Sequence, residues 1–187
     1  FQNDPAEKKK YLSDLFRETY LKDILERHNV AFPESLALIA DELCSAVGSL
    51  TNASKIADTL MTVRQTKIDS ETVGTYLGYL TEAYLFDRSD RYDVKGRKYF
   101  SYPSKYYCVD TGLRNARLNF RQLEETHLME NVIFNELSGR GHSVDVGVVE
   151  TIDQLGEKRM RRTYEIDFVV NAETAGEKYY IPVSYTH

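Results

Sequence analysis

The chain has 187 residues, of which 42% are hydrophobic and 28% are charged, and its formal net charge is −5 at pH 7. This composition is that of a globular protein and excludes a disordered one, and the length suffices for one large domain or two small ones. The acidic balance is atypical of a dedicated nucleic-acid-binding protein, although it leaves room for a local basic patch.

Compartment and enzyme class are constrained by what the sequence lacks. It contains no signal-peptide pattern, no apolar run long enough to span a bilayer, and no CxxC pair around Cys44 or Cys108. We therefore expect a cytoplasmic protein with reduced thiols and no membrane partner. There is also no GxxxxGK(S/T), HExxH or GxSxG motif and no Cys/His cluster, so no complete enzyme is visible by motif.

Helical signals fill the first part of the chain. Residues 5–28 place apolar side chains at helical spacing after the capping residue Asp4. Three short helices are predicted to follow, the second capped by Asn52 and the third by Asp69 or Ser70.

An aromatic and basic hairpin is predicted next, at residues 85–110, with its turn at Lys95-Gly96. Three helices followed by a hairpin is the order of a winged helix-turn-helix module, in which the hairpin is the wing. Six basic residues interleave with tyrosines in this wing, a pattern that suits contact with phosphates. They are Arg88, Arg91, Lys95, Arg97, Lys98 and Lys105. The third helix, residues 70–84, contains no Lys or Arg, so we expect any DNA contact to come from the wing. A protein-docking or purely structural hairpin is the alternative.

The remaining chain has a different pattern. A helix is predicted at 125–138, followed by strands at 144–148, 161–170 and 178–185. These elements predict a small α/β domain with an incomplete sheet. Because the chain stops in or just after a strand, we infer a fragment, or the ordered part of a longer protein.

The predicted strand RRTYEIDFVV contains two acidic residues at alternate positions. Glu165 and Asp167 are two residues apart, so an extended chain points both carboxylates to one face, and Ile166, Phe168 and Val170 to the other. Acids on one face of an apolar strand indicate either a solvated surface or a metal site.

Seven stretches, in order, carry a family resemblance: YLKDIL (20–25), LTNASKIADTL (50–60), ETVGTYLGYLTEAYLFD (71–87), RYDVKGRKYF (91–100), KYYCVDTGLRNA (105–116), MENVIFNEL (129–137) and EIDFVV (165–170). Together they resemble the C-terminal part of prokaryotic AAA-type ATP-binding proteins that carry the domain of unknown function numbered 4143. The resemblance covers residues 11–185. It implies a P-loop ATPase domain upstream of this chain as a partner, with ATP and Mg²⁺ bound there and no cofactor bound here.

The resemblance also implies a winged helix followed by a fold similar to PD-(D/E)xK nucleases. Combined with the predicted elements, this gives an α/β or α+β fold class. The domains are then a helical linker at 1–32, a winged-helix module at 33–110 and a nuclease-like α/β domain at 111–187.

In such nucleases a helix Glu, a strand Asp and an acid-x-Lys pair on the next strand meet and hold divalent metals. By position, Glu130 matches the helix Glu and Asp167 the strand Asp. The matching pair on the last strand is Pro182 and Ser184, neither of them an acid or a lysine. Glu130 and Asp167, with Glu165, then form at most a partial metal cage that lacks the lysine. We therefore expect a degenerate site without catalysis.

For Glu130, a capping or hydrogen-bonding role beside Asn131 is the alternative. For the whole chain, the resemblance favours a non-catalytic recognition or regulatory region of an AAA-type protein. A metal-dependent DNA nuclease and a winged-helix DNA-binding module stay open as alternatives.

Overall fold

The computed structural model describes residues 4–96, 98–155, 158–171 and 177–183. The helices are α1 (Pro5–Asp14), a π-helical segment (Leu15–Leu21), α2 (Lys22–Arg27), α3 (Pro33–Ser45), α4 (Ala53–Arg64), α5 (Ser70–Glu82), α6 (Thr111–Arg117) and α7 (Glu125–Gly139). The strands are β1 (Phe86–Asp93), β2 (Lys98–Cys108), β3 (Ser143–Leu155), β4 (Lys158–Asn171) and β5 (Lys178–Ile181). Helices and one mixed sheet make the fold α+β, which confirms the predicted class.

The helix starts follow the capping signals of the sequence. The side chains of Asp4, Asn52 and Asp69 each accept a hydrogen bond from a backbone N–H of the first turn, at 2.9, 2.9 and 2.8 Å. These bonds satisfy donors that a helix N-terminus leaves without an intrahelical partner. The predicted caps are therefore confirmed.

The five strands form one sheet in the order β2-β1-β3-β4-β5. β1 pairs with β3 in parallel, from Arg91 opposite Val146 to Asp93 opposite Val148, and the other neighbours are antiparallel. The hairpin β1–β2, predicted as a wing, thus belongs to the same sheet as the strands of the second predicted module. The boundary predicted near Asp110 lies between strands of one sheet, and the division into modules stays a prediction.

Strand β2 lies between two apolar cores. Tyr106 and Cys108 belong to the larger core, which the N-terminal helices build. Tyr107 belongs to a smaller core with Phe134 and Phe168, and its ring stacks on Phe134 with centroids 4.1 Å apart. The alternation of a strand therefore sends Lys105 and Tyr107 to the side of α7 and β4.

A β-bulge in β4 changes the predicted faces of that strand. Asp145 pairs with Val169 and Gly147 with Ile166, so two residues of β4, Asp167 and Phe168, lie opposite a single residue of β3. The extra residue interrupts the alternation. Phe168 consequently packs near the ring of Tyr107, on the same side as Asp167. The expectation that Phe168 and Val170 lie opposite the two acids is wrong for this reason.

The last strand is shorter than predicted. Its pairing with β4 ends at Ile181, and Pro182 follows outside the strand. Proline has no N–H to donate to a ladder, which explains an end at this position. Ser184 lies outside the described residues. In the described part of the chain, no helix is both long and apolar enough to cross a membrane.

Candidate functional site

The polar centre of the structure is a group of five side chains, here called the carboxylate–lysine cluster. It consists of Lys105 and Tyr107 from β2, Glu130 from α7, and Glu165 and Asp167 from β4. The Lys105 Nζ lies 2.8 Å from Glu130 Oε1, 2.7 Å from Glu165 Oε1 and 3.7 Å from Asp167 Oδ1. One ammonium group is thus the common partner of three carboxylates.

Glu130 is placed by its sequence neighbour Asn131. The buried Asn131 accepts a hydrogen bond from the Cys108 N–H at 3.1 Å and donates one to the Cys108 carbonyl at 2.8 Å. This two-point contact fixes α7 against the end of β2. Glu130 then faces β2, where its Oε1 also accepts a hydrogen bond from the Tyr107 hydroxyl at 2.6 Å.

A glycine permits this position of Glu130. Gly48 follows α3 with φ of +73°, and a Cβ built on it would lie 3.1 Å from the Glu130 carboxyl carbon. A positive φ is favourable for glycine and costly for other residues. The loop after α3 can therefore pass directly over the carboxylate.

The cluster opens to solvent on the β4 side. The side chains of Glu165 and Asp167 are 37% and 25% exposed, whereas that of Lys105 is 3% exposed. Asp167 also accepts a hydrogen bond on Oδ2 from the Val183 N–H at 2.7 Å. The segment after β5 therefore contacts Asp167 through the backbone N–H that follows Pro182, a residue that sequence reasoning expected to offer no ligand.

The charges of the cluster shift two of its pKa values. Burial alone would lower the pKa of Lys105, but the charges and hydrogen bonds of Glu130 and Glu165 outweigh burial and raise it. Burial, together with the charge and hydrogen bond of Glu130, raises the pKa of Tyr107 far above that of a free phenol. Lys105 is therefore an ammonium and Tyr107 a neutral hydrogen-bond donor at neutral pH.

The arrangement does not fit a divalent metal. Among the residues that the structure describes, no group of three or more His, Cys, Asp or Glu side chains is arranged to hold a metal ion. A physical reason lies in the cluster, since the Lys105 ammonium contacts the oxygens that a metal would need. Mg²⁺ in particular demands near-ideal octahedral oxygen ligation.

Of the residues that sequence reasoning placed at this site, the structure brings together Glu130, Glu165 and Asp167. It adds Lys105, which sequence reasoning had assigned to the wing. That assignment is wrong, because a side chain this deeply buried among carboxylates does not contact a phosphate. The expectation that the three acids lack a lysine is therefore also wrong, because β2 supplies one in place of the last strand. No local signal in the sequence distinguished Lys105 from the other basic residues of the hairpin, although it directly precedes the apolar residues that begin at Tyr106.

The other wing residues lie nearer the surface. Arg88 forms an ion pair with Asp90 at 2.7 Å, and Lys95 donates a hydrogen bond to the Glu150 carbonyl at 3.1 Å. Arg91 is partly exposed on β1. Arg97 and the side chain of Lys98 lie outside the described part of the structure. Phosphate contact by these residues stays a prediction.

Comparison with known proteins identifies the family. Residues 1–124 match the family described as "Domain of unknown function (DUF8612)". The chain belongs to this family. The resemblance to the AAA-type proteins with domain 4143 is therefore wrong as an assignment. That resemblance was the basis for three expectations, which are therefore withdrawn. They were an upstream ATPase domain, ATP and Mg²⁺ bound in that domain, and a likeness to nucleases.

Two relatives are similar over nearly all of the chain. An uncharacterized protein of Haemophilus influenzae is 34% identical over 182 residues, which are 97% of this chain and 42% of that protein. An uncharacterized protein of Methanocaldococcus jannaschii is 30% identical over 171 residues, 91% of this chain and 36% of that protein. The chain thus spans less than half the length of these relatives. No solved structure matches it.

Proposed function

We propose that this chain recognises a partner by binding and does not hydrolyse phosphodiesters. The observation that argues against hydrolysis is the position of Lys105, whose Nζ lies 2.7 to 3.7 Å from the three carboxylates of the cluster. A metal-dependent nuclease uses such carboxylates to hold ions that position water and stabilise the charge on phosphate. In this chain the Lys105 ammonium, and not a metal ion, contacts the carboxylates.

Hydrogen bonds within the protein support the same conclusion. Glu130 Oε1 accepts from both Lys105 and Tyr107, and Glu165 Oε1 contacts the same ammonium. Asp167 Oδ2 accepts the Val183 N–H. An entering metal would have to displace these donors, and it would leave Lys105 buried beside a second cation.

The energetic cost of separating Lys105 from the carboxylates disfavours entry of a metal ion into the cluster. Removing one partner of a buried ion pair typically costs about 3–5 kcal/mol, because the other charge stays buried without compensation. A divalent ion would have to offset a cost of this kind before it bound. We therefore expect the cluster to stabilise the contact among α7, β2 and β4 instead of turning over a substrate.

The test compares the wild-type chain with Lys105→Met for Mn²⁺ binding and for DNA cleavage. The wild-type chain should show no saturable heat with Mn²⁺ and should not cleave plasmid, branched or single-stranded DNA. Lys105→Met leaves three carboxylates without their cation, so its melting temperature should rise on addition of Mn²⁺. Lys22→Met, which removes an exposed charge from α2, is the matched control and should behave as wild type.

Two results would overturn the proposal. One is saturable Mn²⁺ binding by the wild-type chain at micromolar concentration. The other is DNA cleavage that disappears in Asp167→Ala. Either would show that the Lys105 ammonium yields to a metal and that the cluster is catalytic.

A further inference from the structure

A concave pocket lies between helices α3 and α4 and the loop that follows α6. Its volume is about 420 Å³, within the range of roughly 300–1,000 Å³ that is typical of sites for small molecules. Among the described residues that line it, none belongs to the carboxylate–lysine cluster. The pocket is thus a second candidate site, and its role does not depend on that of the cluster.

The pocket is positively charged, although the chain has a net charge of −5, because three arginines and two acids line it. Arg117 forms an ion pair with Asp41, and its guanidinium carbon lies 5.2 Å from the centre of the Phe16 ring. Throughout the described ranges, no hydrogen bond or ion pair engages the guanidinium of Arg64 or of Arg121. These two charges are therefore available to a bound anion.

Arg64 and Arg121 come from different walls of the pocket. Arg64 is the last residue of α4, and Gln65 directly after it has φ of +55°. Arg121 directly follows Asn119 and Phe120, which have φ of +53° and +57°. A left-handed conformation is costly for residues other than glycine and recurs at ligand-binding sites. Both arginines thus adjoin sharp changes of chain direction at the pocket.

Hydrogen bonds from α3 and α6 hold the loop after α6 in place. Arg114 is completely buried, and it donates through Nε to the Cys44 carbonyl at 2.9 Å and through Nη1 to the Gln122 carbonyl. The Ser45 hydroxyl donates to Oε1 of Gln122 at 2.9 Å. The wall that carries Arg121 is therefore ordered before a ligand binds, which reduces the entropic cost of binding.

We propose that this pocket binds a small phosphomonoester that also carries hydroxyl or amino groups. A guanidinium binds an anion through two parallel N–H donors, and a carboxylate has only two oxygens, so a single arginine occupies it. A phosphate group presents three acceptor oxygens. It can therefore accept hydrogen bonds from Arg64 and Arg121 together, which favours phosphate over carboxylate.

The other walls define the rest of the ligand. Glu42 lines the pocket from α3, and within the described part of the chain no side chain pairs with its carboxylate. It can accept hydrogen bonds from hydroxyl or amino groups. Leu38, Leu60 and Leu118 add apolar surface for a ring. Adenosine 5′-monophosphate (AMP) combines a phosphate, such donors and a ring, and it is therefore a suitable probe.

Isothermal titration calorimetry of the whole chain with AMP, adenosine and inorganic phosphate tests the inference. The wild-type chain should bind AMP with a Kd below about 1 mM, inorganic phosphate more weakly and adenosine not measurably. Arg64→Ala/Arg121→Ala should weaken AMP binding about tenfold or more, because it removes charge-assisted hydrogen bonds. Arg17→Ala/Arg140→Ala removes the same charge from exposed helical positions and should bind AMP as wild type does.

Glu42→Ala separates the two ends of the ligand. It should weaken AMP binding, because an acceptor is lost, and leave the binding of inorganic phosphate unchanged or slightly tighter, because a negative charge is lost. Thermal unfolding shows whether each variant is folded, and Arg64→Gln provides a second loss of charge at an exposed position.

Four results would overturn the inference. The first is no saturable binding of AMP or inorganic phosphate by the wild-type chain at about 1 mM. The second is AMP binding no tighter than that of inorganic phosphate, which would indicate an adventitious ion only. The third is equal affinity for adenosine and AMP, and the fourth is a folded arginine variant that binds AMP as wild type does.

Discussion

The Nζ of Lys105 lies 2.7 Å from Oε1 of Glu165, although β2 and β4 are not neighbours in the sheet. The long lysine side chain crosses from one strand to the other beneath α7, where Glu130 receives the same ammonium. The Lys105–Glu130 pair, with side chains 3% and 12% exposed, is the strongly coupled one, because water screens it poorly. The cluster therefore links the N-terminal and C-terminal parts of the chain.

Lys105→Met should reduce the free energy of unfolding by about 3–5 kcal/mol, because it leaves Glu130, whose side chain is only 12% exposed, without its cation. Urea unfolding at neutral pH measures this change. The exposed control Lys22→Met should stay within about 0.5 kcal/mol of wild type. Adding Glu130→Gln to Lys105→Met should recover part of the loss, since it removes the uncompensated charge. Equal losses by the two lysine variants would contradict the coupling.

The stabilising contribution of Lys105 should also depend on pH. Its pKa is raised in the folded protein, so the contribution is complete below the pKa of about 10.4 of an unfolded lysine and is lost as the pH rises through the folded value. Urea unfolding of wild type and Lys105→Met at increasing alkaline pH should show the difference between them shrinking. A constant difference would mean that the lysine contributes by packing alone.

Gly48→Ala should destabilise the protein by about 1–3 kcal/mol, because it forces a side chain into the left-handed region. The new Cβ would also crowd the Glu130 carboxylate at 3.1 Å. Gly139→Ala is the matched control, since α7 leaves open space around that position. Denaturant midpoints of the two variants compare them directly. A Gly48→Ala protein as stable as wild type would show that the loop after α3 adapts.

Asn131→Ala should cost about 1–3 kcal/mol, because it leaves the N–H and carbonyl of Cys108 with fewer partners. Asn135, which contacts the same carbonyl from a more exposed position, should cost less when replaced by Ala. Hydrogen exchange at the Cys108 amide provides the local readout. Unchanged protection of this amide in Asn131→Ala would contradict the assigned role.

Asp145→Asn should become more stabilising as the pH rises. Burial raises the pKa of Asp145, despite the opposing hydrogen bonds from Tyr99 and Asn171. A raised carboxyl pKa means that the folded state binds the proton more tightly, so ionisation costs stability once the pH exceeds the unfolded value of about 3.9. Urea unfolding of both proteins at about pH 4 and about pH 7 measures the change. A difference that moves the other way would refute the assignment.

Local features of the fold followed directly from the sequence. Asp4, Asn52 and Asp69 cap helices where predicted, because a cap is a contact between residues two or three positions apart. The hairpin around Lys95 was also predictable, since its turn residues and alternation lie within one short segment. Neither prediction required knowledge of how distant segments pair.

The faces of β4 did not follow from the sequence. Alternation placed Phe168 opposite Asp167, but the bulge opposite β3 brings both to one side. Such a bulge depends on register with the partner strand. The early end of β5 before Pro182 is easier to explain, because a residue without an N–H interrupts the ladder.

The sequence by itself determined the α+β class, the capped helices and the acid pair Glu165 and Asp167, because these depend on composition and on contacts between near neighbours. Only the tertiary structure decided that Lys105 is the cation of that pair and that the turn at Lys95 lies beside Glu150 of β3. Both relationships depend on the parallel pairing of β1 with β3, a long-range contact that no local pattern specifies. A lysine on a strand has the same sequence signal whether it meets solvent or carboxylates, and the packing of β2 against α7 and β4 selects between them.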